Sequence, residues 1–176
     1  MSEGVAELVA EVGADFRTVS ALLPIRRQDG GGDVPFSYPT WRAEQRQFQE
    51  QRTGWDIVLK PRQIGFSTLE LARDVWFALR HSGVQVLIVH HDQTLCESMF
   101  RVVSKMVAGL VDLGLIPKPA ASSIREVVFA HNGSAIRVVE AGVTEAVADA
   151  RGRSGTIHRL HATEVAFWRS AEATLA

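Results

Sequence analysis

Two kinds of apolar pattern alternate along this chain. In the first, apolar residues recur at helical spacing. Val5, Leu8, Val9, Val12, Phe16, Val19, Leu22 and Leu23 share one such face, with Gly13 as a possible break. Leu69, Ala72, Val75, Trp76 and Leu79 make a second, and Leu95, Met99, Val102, Met106 and Leu110 a third. In the second pattern apolar residues stand in short unbroken runs, as buried strands do: Ile57 to Leu59, Val84 to Val89, Val127 to Ala130 and Ala135 to Val139. Thr156 to Thr163 reads as a further strand, with Glu164 at its C-terminal end. His131-Asn132-Gly133-Ser134 between two runs predicts a hairpin. His81-Ser82-Gly83 closes the second helix, and Ile116-Pro117-Lys118-Pro119 ends the third.

Strand, helix, strand, helix, hairpin, strand predicts an α/β fold, an open and mainly parallel sheet with helices on both faces. Gln28-Asp29-Gly30-Gly31-Gly32-Asp33 reads as a linker. It divides a helical segment over residues 1–33 from a domain over residues 34–176. Tyr38-Pro39-Thr40-Trp41 leads into a polar helix over residues 42–52, with Thr40 as its N-cap and Trp41 and Phe48 as anchors.

Composition narrows the class. At 176 residues and 46% hydrophobic, the chain can bury one core. Its net charge of −1 gives no global field for nucleic acid, so any DNA contact needs a local basic patch. Cys96 stands alone and reads as a small buried residue in a reducing cytosol. The acidic N-terminus is unlike a signal peptide, and no apolar run reaches the roughly 18 residues of a membrane span. The expectation is a soluble, intracellular protein without a membrane partner.

The candidate chemistry gathers at two places. In the first, Lys60-Pro61-Arg62-Gln63-Ile64-Gly65-Phe66-Ser67-Thr68 joins the run Ile57 to Leu59 to the second helix. Strand, glycine-bearing turn and hydroxyl-led helix form a phosphate cradle, with loop amides and the helix dipole aimed at the anion. The hydroxyl at the helix start can hold magnesium. Against the usual phosphate-loop pattern, Lys60 replaces the first glycine and Phe66 the usual lysine. An ordinary strand–turn–helix with a basic turn fits the same residues. In the second place, Glu164 ends a strand whose tip shares a sheet edge with Lys60 and His90. A carboxylate there can orient and deprotonate an attacking water, and the Thr163 hydroxyl can hold a magnesium-bound one. Adjacent His90 and His91, pointing to opposite faces of a strand, make a poor metal pair.

These two stretches together resemble a family. Lys60 to Thr68 is similar to the deviant Walker A motif of large terminase subunits, the DNA-packaging motors of tailed bacteriophages. Ala162-Thr163-Glu164-Val165-Ala166-Phe167-Trp168 resembles their Walker B end. Arg151-Gly152 resembles their Arg-Gly segment, and Glu44-Gln45-Arg46 their Gln motif. The resemblance spans about residues 38 to 170. It implies a three-layer, additional-strand phosphate-loop NTPase, truncated after the Walker B strand, working in the host bacterial cytoplasm. It implies ATP and magnesium as ligands. Its implied partners are double-stranded DNA, a portal protein, a small terminase subunit and further copies in a ring.

Residue by residue, the resemblance implies the following. Lys60 and Arg62 contact the β- and γ-phosphates, within a nucleotide-binding turn that includes Pro61, Gln63, Ile64, Gly65, Phe66 and Thr68. Ser67 holds magnesium, with Thr163 acting through water. Glu164 is the catalytic carboxylate, and Gln45 contacts adenine. Arg151 or Arg153 serves as an arginine finger. The family's later coupling and nuclease segments have no counterpart before Ala176, so the chain is expected to be the front part of such a motor. Two alternatives stay open: a catalytically incomplete fragment that binds DNA or a partner, and a helicase-like ATPase.

Overall fold

The structure, a computed structural model, describes residues 15–27, 29–60, 65–141 and 156–168. The chain is α/β. Its main sheet has five strands in the order β4-β5-β6-β3-β7: β3 is Gln85–His90, β4 Ala121–Ser122, β5 Glu126–Val128, β6 Ala135–Glu140 and β7 Ile157–Ala162. β6, β3 and β7 are parallel neighbours, whereas β4 and β5 join antiparallel. The predicted hairpin is β5–β6, and Gly133 in its turn adopts φ 70°.

Two long helices pack on one face of the sheet. α3, Phe66–Arg80, and α4, Gln93–Asp112, bury Leu69, Ala72, Val75, Val103 and Met106 against Val86, Ile88, Ile136 and Val138. Met99 and Met106 are core residues, as their spacing predicts. α4 starts where the Asp92 carboxylate accepts a hydrogen bond from the Leu95 amide at 2.9 Å. α3 ends where the Asn132 side-chain amide donates to the Ala78 and His81 carbonyls at 2.7 and 2.8 Å. Helices were expected on both faces. Among the described residues, the other face is met by Trp168 and Val165, which pack on Leu87, Val89 and Val139. Cys96 is buried, and its thiol is pushed up to about 11 by burial.

The division at residue 33 is not seen among the described residues. β1, Pro24–Arg26, pairs antiparallel with β2, Asp33–Pro35, across the glycine-rich stretch. Between the two strands the Asp29 carboxylate accepts from the Gly31 amide, and Gly30 and Gly32 take positive φ. Phe16 of α1 (Phe16–Ser20), Leu23 and Phe36 lie in the same core as α3 and α4. The helical face drawn from Val5 to Val12 lies outside the described residues.

Two local expectations change. α2, Ala43–Gln51, is capped at Arg42, not Thr40, because the Gln45 side chain reaches back to accept from the Arg42 amide at 2.8 Å. The run Ile57 to Leu59 is not a buried strand. It pairs with nothing among the described residues, and Ile57 and Leu59 are each 98% exposed. The reason is partnership. A strand needs a neighbour for its backbone groups, and the described sheet ends at β7. The Asp56 carboxylate instead closes a local turn by accepting from the Thr53 and Gly54 amides. Among the described residues, no helix is long and apolar enough to cross a membrane.

Candidate functional site

The C-terminal edge of the parallel strands carries the candidate chemistry. The tips of β3 and β7 are joined by a hydrogen bond from the Thr163 amide to the Val89 carbonyl, 3.0 Å. Thr163 is buried there, and its carbonyl accepts from the Trp168 indole N–H at 3.0 Å. Glu164 follows in the left-handed region, φ 54° and ψ 39°. It is the only non-glycine residue with positive φ among those described. Such a conformation is uncommon for residues with a side chain and is held by its surroundings.

Two imidazoles meet the Glu164 carboxylate. His90 Nε2 lies 3.6 Å and His91 Nδ1 3.7 Å from its Oε2. The rings stack at 4.4 Å with planes 24° apart. Alternation within a strand predicted opposite faces for this pair. It fails because β3 ends at His90, and His91 already belongs to the bend before α4. The three side chains could hold a metal ion by proximity alone. The proton on His90 argues otherwise. Its Nδ1 accepts from the Asp92 amide at 3.0 Å, so Nδ1 bears the lone pair and Nε2 the hydrogen. A ring ligating through Nε2 carries its proton on Nδ1, facing that same N–H. Burial pushes the His90 imidazole below the usual histidine range, and His91 beside it adds to the effect.

The N-terminus of α3 turns toward this edge. Its C-terminal carbonyls are bonded to the turn before β6, on the opposite edge. A helix of 15 residues rises about 22 Å, slightly more than a six-residue strand. Gly65 opens α3 with φ 73°. A Cβ at Gly65 would stand 2.9 Å from the Gln45 side-chain nitrogen.

Compared with protein-family models and with curated proteins, the chain matches none.

Other predicted site residues take varied positions. Gln45 is buried, and its amide nitrogen donates to the Gly65 carbonyl at 2.8 Å while its oxygen caps α2. Its polar atoms are thus bonded within the chain and brace the turn, instead of standing open to a base. Phe66, in the usual lysine slot, is buried with its ring 4.9 Å from Phe48. Ser67 and Thr68 are half-buried in the first turn of α3. Lys60 is exposed and forms no ion pair with Glu164. Pro61, Arg62, Gln63, Ile64, Arg151 and Arg153 lie outside the described residues.

A second polar cluster was not anticipated. Asp74 of α3 is fully buried, and its carboxylate accepts from Arg159 Nε at 2.6 Å and meets His161 Nδ1 at 2.7 Å. Arg159 also donates to Glu70 at 2.8 Å, and Glu70 accepts from Arg52 at 2.6 Å. Burial alone would raise the Asp74 carboxyl; His161 and Arg159 outweigh it and hold the group below the ordinary carboxylate range. The sequence signal was available: Glu70 and Asp74 stand four apart on α3, and Arg159 and His161 share one face of β7.

Proposed function

We propose that this chain carries the nucleotide-binding part of an ATP-hydrolysing motor of the DNA-packaging terminase kind. One observation supports the reading most: a left-handed glycine opens a long helix whose N-terminus turns toward the sheet edge that carries Thr163 and Glu164. The residues fit a magnesium-bound triphosphate in part. Gly65 takes the left-handed φ that favours glycine, with the Gln45 amide packed against it, and the Ser67 hydroxyl stands in the first helical turn. Phe66 is turned into the core, so the cation for the phosphates falls to Lys60 and Arg62.

In this reading Ser67, with Thr163 through water, would hold magnesium, which would supply charge neutralisation for the phosphates. The α3 N-terminus and Lys60 bind the β- and γ-oxygens, and Glu164 orients the attacking water and takes its proton. Arg151 acts as the finger on a neighbouring copy. Double-stranded DNA, the portal and the small subunit are the partners in this reading. Glu164→Gln tests it: ATP turnover should fall at least a hundredfold with magnesium-ATP affinity kept. Loss of binding together with turnover would contradict a catalytic carboxylate.

A second reading, a binding module that turns nothing over, has one observation in its favour. Trp55, Ile57 and Leu59 form an apolar segment almost wholly exposed. Unchanged absence of turnover upon adding DNA and portal, with partner binding retained, selects this reading.

A further inference from the structure

His90 is tied down on every side except one. Its backbone carbonyl accepts from the Ala141 amide at 2.8 Å, which fixes it against the end of β6. Its Nδ1 accepts from the Asp92 amide at 3.0 Å, and a main-chain amide can only donate. The ring is therefore neutral, with its single hydrogen on Nε2. Nε2 faces Glu164 Oε2 at 3.6 Å. His91 stacks over the ring and limits its rotation. Glu164, in turn, sits in a left-handed conformation that an ordinary residue avoids, between the bonded Thr163 and the turn Val165–Phe167.

We propose that His90 is a positioning residue for Glu164: the Nε2–H, oriented by the Asp92 amide, docks the carboxylate and sets where it points when water is activated. This inference rests on the ATPase reading above. The 3.6 Å separation is just outside hydrogen-bond reach, and contacts of this kind tighten once substrate is in place. A shift of about half an ångström in the Glu164 side chain closes it. The neighbouring strand thus contributes a neutral donor to the catalytic carboxylate of the next. The arrangement also links two chain segments. Asp92 both orients His90 through its amide and caps α4 through its carboxylate, so movement at the start of α4 reaches the Glu164 carboxylate.

The test compares wild type, His90→Ala and His90→Gln, because a glutamine amide can present an N–H near the lost Nε2. His90→Ala should lower kcat about 10–100-fold, the usual scale for a misplaced catalytic group, with magnesium-ATP Kd unchanged. His90→Gln should recover most of that loss. Wild-type kcat in His90→Ala overturns the inference. A loss accompanied by a lower melting temperature and not recovered by glutamine overturns it too, as a structural role. Nitrogen NMR of the His90 ring gives a readout that needs no turnover. It should report the Nε2–H form, and its signal should move in Glu164→Gln; a signal that stays in place overturns the contact. A wild type that binds no nucleotide overturns the ATPase reading instead, and the ring signal then decides the contact by itself.

Discussion

Replacing Arg159 with methionine cuts the ion network between β7 and α3 at its centre. The guanidinium makes two charge-assisted bonds, to Asp74 at 2.6 Å and to Glu70 at 2.8 Å. Each bond to a charged group is worth about 1.5–3 kcal/mol. Methionine keeps most of the aliphatic stem, so lost packing is a minor part of the cost. What remains behind sets the magnitude. The Asp74 side chain is 0% exposed, and among the described residues only His161 then still meets its carboxylate. Removing one member of a buried pair costs about 3–5 kcal/mol, because the other charge stays buried. At about 2–4 °C per kcal/mol for a chain of this size, the melting temperature should fall by about 6–20 °C. Circular dichroism melting measures it, and a lower urea midpoint at unchanged m-value should agree. A loss below about 1 kcal/mol would put the bridge in the class of screened surface pairs and refute the dry-network argument.

Asp74 also predicts a pH dependence. Its carboxyl is held below the ordinary value of 3.8 in the folded state. As pH falls, the unfolded chain takes up the proton first. The stabilisation is therefore complete above the unfolded value and is lost as pH drops through the folded one. Acid should weaken the wild type more steeply than Asp74→Asn below about pH 4, measured by denaturant midpoints; parallel curves would contradict it. The exposed segment gives a prediction of opposite sense. Ile57→Ser combined with Leu59→Ser should change stability by less than about 0.5 kcal/mol, as surface changes do. A buried strand would lose about 2–5 kcal/mol for each truncated side chain, and urea unfolding separates the two cases.

Local pattern carried most of the fold. β3, β7, the β5–β6 hairpin, α3 and α4 each announce themselves through periodicity or turn chemistry that needs no distant partner. Ile57 to Leu59 did not, because an apolar run states a preference for burial without naming what covers it. The glycine-rich stretch misled in a related way. Gly30 and Gly32 take positive φ between the two paired strands, yet their composition equally describes a linker. At the site, Thr163 and Glu164 were legible as a strand tip. His91 was not, because strand alternation says nothing one residue beyond the strand end. Gln45 shows the limit of motif reading: its amide holds the Gly65 carbonyl, a contact 20 residues away in sequence that only the fold discloses.

The central claim is that the Gly65 turn and its flanking cation cradle a triphosphate. Titration of magnesium-ATP into wild type and Lys60→Ala tests it most directly. The account predicts binding by wild type and at least a tenfold weaker Kd, about 1.4 kcal/mol, in Lys60→Ala. Equal affinities, or a wild type that takes up no nucleotide, would contradict it.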